Sequence, residues 1–263
     1  MRRDADPVGF VHGYESREDR EIVALVCASC AFGNVKAIRA KVAELLALVG
    51  PSPARAADDA VALRKRLAKW KHRVYRGDDV ARLFAGARAV QREAGSLGDA
   101  FAEELARADR VHEAEVAWRE AVAAFLDRIR DAGGLRKGHL VPDARAGSAV
   151  KRVMLFLRWM ARPADGIDLG LWDVPTDRLL VPLDVHIHKL ARNLGLTRRN
   201  DLSWRTAVEI TRCLARLDAA DPTRYDFSLC HMGMLQRCPS RRDPERCEGC
   251  GVKPVCVHWR RTT

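Results

Sequence analysis

The sequence predicts an all-α fold made of two packed helical lobes and a cysteine-rich C-terminal loop. Three observations carry that prediction. Apolar residues recur at helical spacing almost throughout, no stretch alternates as a half-buried strand would, and after Leu235 the rhythm gives way to prolines, glycines and four cysteines. A chain of 263 residues can bury a core of ordinary size. Apolar residues make up 48% and charged residues 31%, a globular balance, and 46 Lys and Arg against 35 Asp and Glu leave a net charge of +11. That excess makes an anionic partner the first hypothesis. The longest apolar or small run, residues 22–32, is eleven residues, short of the roughly 20 that cross a bilayer, so no membrane partner is expected. Asp4, Asp6 and Pro7 stand where a signal peptide would place its apolar stretch. A cytosolic location follows, in which clustered cysteines serve more often as metal ligands than as disulfides.

Taken in order, residues 20–31 and 35–49 read as apolar helices separated by Phe32-Gly33-Asn34. Residues 56–75 read as a third, with Arg64, Lys65, Arg66, Lys69 and Lys71 on its polar side. Residues 78–93, 96–106 and 112–130 continue the pattern. Residues 131–148 interrupt it with four glycines and a proline. A strongly apolar helix follows at 149–162, then one at 185–194 ended by Gly195, one at 203–217 with Ser203 as N-cap, and a last at 222–235 with Pro222 in its first turn. The expected division is one helical lobe over 20–165, a second over 1–19 and 166–236, and the cysteine loop over 237–263.

The loop reads Cys238-x8-Cys247-x2-Cys250-x5-Cys256. Pro239, Pro244, Gly249, Gly251 and Pro254 allow the backbone to fold back so that four thiolates converge. So short a tail buries little apolar surface, and a bound metal would supply its ordering energy. Zinc and a [4Fe-4S] cluster both accept four thiolates. Cys27 and Cys30 lie within an apolar helix and read as core, as do Cys213 and Cys230.

Lys151 and Asp184 each admit two readings. Lys151 lies in the first turn of a helix beside Arg152, where the helix dipole and a neighbouring cation disfavour an ammonium and favour a nucleophilic amine. It also shares a face with Arg158 and Arg162, as in an ordinary solvated stripe. Asp184 precedes a helix and reads as its N-cap, a position that would also hold an ionised carboxylate ready to stabilise a developing cation. His186 and His188 diverge on that helix, so they are not expected to share a metal.

The cysteine spacing is similar to the iron–sulfur loop of endonuclease III and the adenine DNA glycosylases, C-x6-C-x2-C-x5-C, with the first gap lengthened by two residues. Gly233-Met234-Leu235-Gln236-Arg237-Cys238 resembles the approach to the first ligand. Leu140 to Ser148 followed by Lys151, and Val181-Pro182-Leu183-Asp184-Val185-His186-Ile187-His188, resemble the hairpin–helix and the V-D-T-H segment of helix-hairpin-helix DNA glycosylases. The segments 19–34, 147–172 and 182–196 look closer still to an uncharacterised bacterial family of that superfamily. The 33-residue separation of Lys151 and Asp184 is nearer the archaeal 8-oxoguanine glycosylase branch. The sequence departs from the family hairpin L-P-G-V-G-x-K, of which Gly147 and the following helix remain.

The resemblance implies a two-lobed helix-hairpin-helix fold and a base-excision DNA glycosylase with lyase activity, favouring an oxidised purine. Lys151 would form the Schiff base, Asp184 would be the catalytic carboxylate, and Cys238, Cys247, Cys250 and Cys256 would hold a structural [4Fe-4S] cluster, with zinc as the alternative. The partner would be double-stranded DNA carrying a damaged base, bound by a monomer associated with the nucleoid. Asn34 resembles the superfamily's polar wedge. Backbone groups of Gly147 and Ser148 would bind phosphate, joined by Arg136, Lys137, Arg145, Arg152, Arg241, Arg242, Arg246 and Lys253. Trp159, Trp172 and His186 would line the pocket for an extruded base. A monofunctional glycosylase, a non-catalytic DNA-binding protein of the same fold and a zinc-stapled adaptor remain as alternatives.

Overall fold

The computed structural model describes residue 4 and residues 6–235 and 238–260, so Gln236 and Arg237 of the expected approach to the first cysteine lie outside it. The described chain is mostly helical, and it divides into two compact units. The first comprises the chain through Ala146 together with Leu155–Pro175; the second comprises Gly147–Met154 and the chain from Thr176 onward. Among the described residues no helix is long and apolar enough to cross a membrane.

The first unit contains α1 (Val8–Val11), α2 (Arg17–Cys30), α3 (Val35–Val49), α4 (Pro53–Ala57), α5 (Ala60–Leu67), α6 (Gly77–Ala94), α7 (Leu97–Asp109) and α8 (Ala114–Ala132). Ser16, Asn34, Asp59 and Ser96 each accept a first-turn N–H with the side chain, so the chain supplies four of these starts with an N-cap. Gly86 lets α6 approach α8 closely: a Cβ there would sit 2.2 Å from the Ile129 carbonyl oxygen. Phe101, Trp118, Phe125, Phe156 and Trp172 form an aromatic core with edge-to-face contacts at 5.1–6.0 Å between several pairs.

At the edge of that core Glu21 is fully buried. Its carboxylate accepts from the N–H groups of Leu97 (2.9 Å) and Gly98 (3.2 Å), from Gln91 Nε2 (2.9 Å) and from Trp172 Nε1 (2.8 Å). Arg17 adds a charge partner at 3.3 Å. A single anion thus ties α2 to the N-terminus of α7 and to Trp172, where it also meets the positive end of the helix dipole.

Two expectations are corrected. Residues 56–75 are not one helix. Asp59 caps a new start at α5, and beyond Leu67 the burial alternates: Trp70, His72 and Tyr75 point inward while Lys71, Arg73, Val74 and Arg76 point outward. This period-2 pattern forms a short antiparallel hairpin, β1 (Lys71–His72) and β2 (Tyr75–Arg76). The lobe boundaries also move. Residues 1–19 belong with the first unit because α1 packs on α2, and 166–175 stay there through Trp172.

The second unit contains the first turn of α9 (Lys151–Ala161), then α10 (Val185–Asn193), α11 (Trp204–Ala215) and α12 (Asp226–Leu235). Its core gathers Ala149, Val181, Leu183, Ile187, Ala191, Ala207, Ile210 and Leu214, with Leu229 and Cys230 packed against them. Ser203 caps α11, and Pro222 opens a short 3-10 turn before α12.

Replacing Glu21 with Ala leaves four N–H donors without their buried acceptor, and we expect a loss of about 3–5 kcal/mol, read as a lower urea midpoint for the first unit. Asp59→Ala, at an exposed cap, should cost only about 1 kcal/mol. Burial pushes the imidazoles of His72 and His139 below their ordinary value of 6.5. Folding therefore favours the neutral form of both, and this stabilisation is complete above 6.5 and lost as the pH falls below it. Melting followed between about pH 7 and about pH 5 should show a falling midpoint, with a shallower fall in His72→Phe.

Candidate functional site

Lys151 is placed by the backbone ahead of it. Gly147, at φ 86°, turns the chain. Residues 147–149 then run antiparallel to 202–204: Ser148 is bridged to Ser203, the Ala149 N–H donates to the Leu202 carbonyl at 3.2 Å, and the Trp204 N–H donates to the Gly147 carbonyl at 2.8 Å. Val150 follows at φ 40°, a left-handed conformation that a β-branched residue rarely adopts. Its carbonyl accepts from Val153 and Met154, so α9 opens at Lys151.

Asp184 comes from the other segment of the same unit. One oxygen, Oδ1, accepts from the N–H groups of His186 (2.9 Å) and Ile187 (3.0 Å), capping α10. The other, Oδ2, lies 3.6 Å from Lys151 Nζ, with the two side chains 21% and 30% exposed. The amine and carboxylate expected to work together are therefore brought together across 33 residues of sequence. The solvated stripe is not what forms. Arg158 and Arg162 are buried and converge on Asp168, itself fully buried; Arg158 reaches it at 3.1 Å. Burial pushes the Asp168 carboxyl up, while the two guanidiniums pull it down.

The far end of α10 organises the cysteine loop. Asn193, almost fully buried, donates through Nδ2 to Cys238 Sγ at 3.2 Å and to the Pro239 carbonyl at 2.9 Å. Its Oδ1 meets His258 Nε2 at 3.0 Å, and its carbonyl accepts from the Val257 N–H at 2.7 Å. Cys238, Cys247, Cys250 and Cys256 all line one pocket, floored by Leu190, Asn193 and Leu194. Burial pushes the Cys238 thiol up, against the pull of the Asn193 hydrogen bond; Cys250 and Cys256 push in the same direction as burial. The donor set is thus soft and fourfold and shares one pocket, which fits the chemistry of a thiolate-bound metal group in ligand type and number. As they stand, no three His, Cys, Asp or Glu side chains among the described residues are close enough to hold a metal ion. Asn193 was not singled out from the sequence, because an asparagine in the last turn of a helix carries no distinguishing pattern.

The remaining expected residues separate. Arg136 is exposed, but Lys137 pairs with Asp143 at 2.9 Å, and Arg145 pairs with Glu120 at 2.7 Å and Asp127 at 3.0 Å. Those two cations are held by acids of their own unit. Arg152 is half-buried beside Lys151. Ser148 Oγ accepts from the Val150 N–H at 3.3 Å, while the Ala149 N–H is taken by Leu202 and is not free for phosphate. Asn34 is exposed, with Oδ1 capping α3 through Lys36 and Ala37. In the loop, Arg241 is exposed, Arg246 pairs with Asp243 at 3.5 Å, and Arg242 and Lys253 lie over the Trp259 ring at 4.1 and 4.4 Å. Trp159 and Trp172 correct an expectation. Both are core side chains of the first unit, Trp172 bound to Glu21, and neither ring is open for stacking. His186 is half-buried, with its backbone and Cβ against Gly233 of α12.

A family model described as "Protein of unknown function (DUF2400)" matches residues 6–235. The chain belongs to this family. The match takes in Lys151, Asp184 and Asn193 and stops ahead of the four cysteines of the loop, so in this DUF2400 protein the amine and carboxylate lie inside the family region. No curated protein matches the chain. No solved structure matches it either.

The two oxygens of Asp184 can be separated experimentally. Asp184→Asn retains a cap acceptor and should change the melting midpoint little, whereas Asp184→Ala should cost about 1 kcal/mol. Asn193→Ala should leave α10 intact and loosen the loop, measured as faster alkylation of Cys238.

Proposed function

We propose that this protein is a base-excision DNA glycosylase with lyase activity, acting through Lys151 and Asp184, with an oxidised purine as the favoured lesion. One observation supports this above the others. The amine and carboxylate that the resemblance pairs are 3.6 Å apart in one unit, each partly open to solvent and each held by a defined helix start.

In this reading Asp184 Oδ2 takes the proton that makes Lys151 a nucleophile. The amine attacks the sugar C1′, forming a carbon–nitrogen bond as the glycosidic bond breaks, and the base leaves with the electron pair of that bond and takes the proton that Asp184 had accepted; the nitrogen then passes a proton to O4′ as the C1′–O4′ bond breaks, which opens the ring to the iminium. As it gives that proton up, the Asp184 carboxylate, positioned by its two backbone N–H donors, stabilises the positive charge that develops on the sugar. Loss of the sugar C2′ proton from the resulting iminium then expels the 3′ phosphate, which is the lyase step.

The four loop cysteines would hold a [4Fe-4S] cluster, which when bound supplies structural order to the loop. Asn193 would donate to the ligand Cys238, and the exposed Arg241 would face DNA phosphate. Duplex DNA with a damaged base is the partner, met in the cytoplasm at the nucleoid.

Borohydride reduction in the presence of lesion-bearing duplexes should trap a covalent adduct, lost in Lys151→Gln and reduced at least about 100-fold in Asp184→Asn. DNA binding without trapping on any lesion would point instead to a non-catalytic member of the fold. The purified protein should absorb near roughly 400 nm, as thiolate-bound iron clusters do; a colourless zinc protein would replace the cluster with the alternative ion.

A further inference from the structure

The β1–β2 hairpin has a surface that neither the lysine nor the cysteine loop uses. From Ala60 to Arg76 the chain carries seven Lys and Arg and no Asp or Glu. Arg64 is paired with Asp78, but no carboxylate among the described residues pairs with Lys65, Lys69, Lys71 or Arg73. The inward residues fix the hairpin. Trp70 Nε1–H donates to the Lys41 carbonyl at 3.1 Å, Tyr75 Oη meets His139 Nδ1 at 2.7 Å, and the rings of His72, Tyr75 and His139 surround Phe32 at 5.2, 5.1 and 4.7 Å.

The tip is braced as well. Arg73 sits at φ 53°, a turn position that ordinarily takes Gly or Asn. Its guanidinium lies over the Phe32 ring at 5.5 Å. Gly33, at φ 102°, leaves room for it: a Cβ there would fall 2.6 Å from Arg73 Nη1. The hairpin and the Phe32-Gly33-Asn34 loop are therefore packed on each other, and at the turn Val74 is 68% exposed, at a pocket lined by Arg82, Arg136 and Lys137 as well as by Asp78 and Asp79. Cations spaced along a ridge suit backbone phosphates, and an apolar side chain exposed at a turn suits insertion at a base step.

We infer that this hairpin is a duplex-DNA probe, its cations contacting phosphates while Val74 wedges between stacked bases. The inference takes its partner class from the glycosylase reading, and deepens it by naming the element that opens the stack.

The test uses the full chain and an undamaged duplex carrying 2-aminopurine as a stacking reporter, so that no catalysis is involved. Binding should brighten the reporter. Val74→Asp should abolish the brightening and weaken Kd about tenfold, whereas Val111→Asp, at another valine that is 75% exposed, should change neither. Lys69→Ala and Lys71→Ala should each lower the slope of log affinity against log salt by about 0.9. Unchanged brightening and affinity in Val74→Asp would overturn the inference, as would loss of binding to phosphatidylserine vesicles but not to duplex. Brightening without borohydride trapping on any lesion leaves the hairpin inference standing and removes the glycosylase reading. Trapping that survives with Val74→Asp behaving as wild type does the reverse.

Discussion

The Asp184 carboxylate has two oxygens, and the rest of the site depends on their being used differently. Oδ1 satisfies two N–H groups at the start of α10, and Oδ2 is left facing Lys151. Capping is worth about 1 kcal/mol, while a partly exposed ion pair contributes between nothing and about that much. The cap therefore does most of the positioning, and the charge toward Lys151 is held in place by a bond it does not itself make.

Helix α10 carries that constraint further. It is nine residues long, with Asp184 before its first residue and Asn193 as its last. At one end a carboxylate is fixed against an amine; at the other an amide is fixed against Cys238, Pro239 and His258. Ile187, Leu190 and Ala191 bury the face between them. A short apolar helix with a polar anchor at each end has little freedom to slide, since moving it one residue would break both sets of hydrogen bonds. The cysteine pocket and the Lys151 pair are consequently two ends of one rigid element of the second unit.

The first unit is held by a comparable economy of charge. Glu21 accepts from four donors, and Asp168 receives two buried arginines. Buried charges of this kind persist only when fully paired, which is why so many guanidiniums of a basic chain are committed internally. Net charge alone therefore overstates the cationic surface. Arg145, Arg158 and Arg162 are taken by acids, whereas Lys65, Lys69 and Lys71 are exposed and pair with no carboxylate among the described residues.

Helical periodicity, caps and the stop after Leu235 were legible in the residues themselves, because amphipathic spacing and first-turn hydrogen bonds are local. Val35–Val49 begins and ends where that local pattern says, and Asp184 and Ser203 cap as their side chains dictate. The four loop cysteines, close in sequence, also line one pocket. Local pattern was insufficient where a partner lay far along the chain. Arg158 and Arg162 read as solvated until Asp168 folded onto them, and Trp172 read as open until Glu21 received its N–H. The 70–75 segment read as helix although its burial has the period of a strand. Asn193 meets Cys238 across 45 residues, and the 3.6 Å between Lys151 and Asp184 spans 33. Which acid a cation meets, and which sulfur an amide reaches, is a question of distance in space, which only the packing of helices decides.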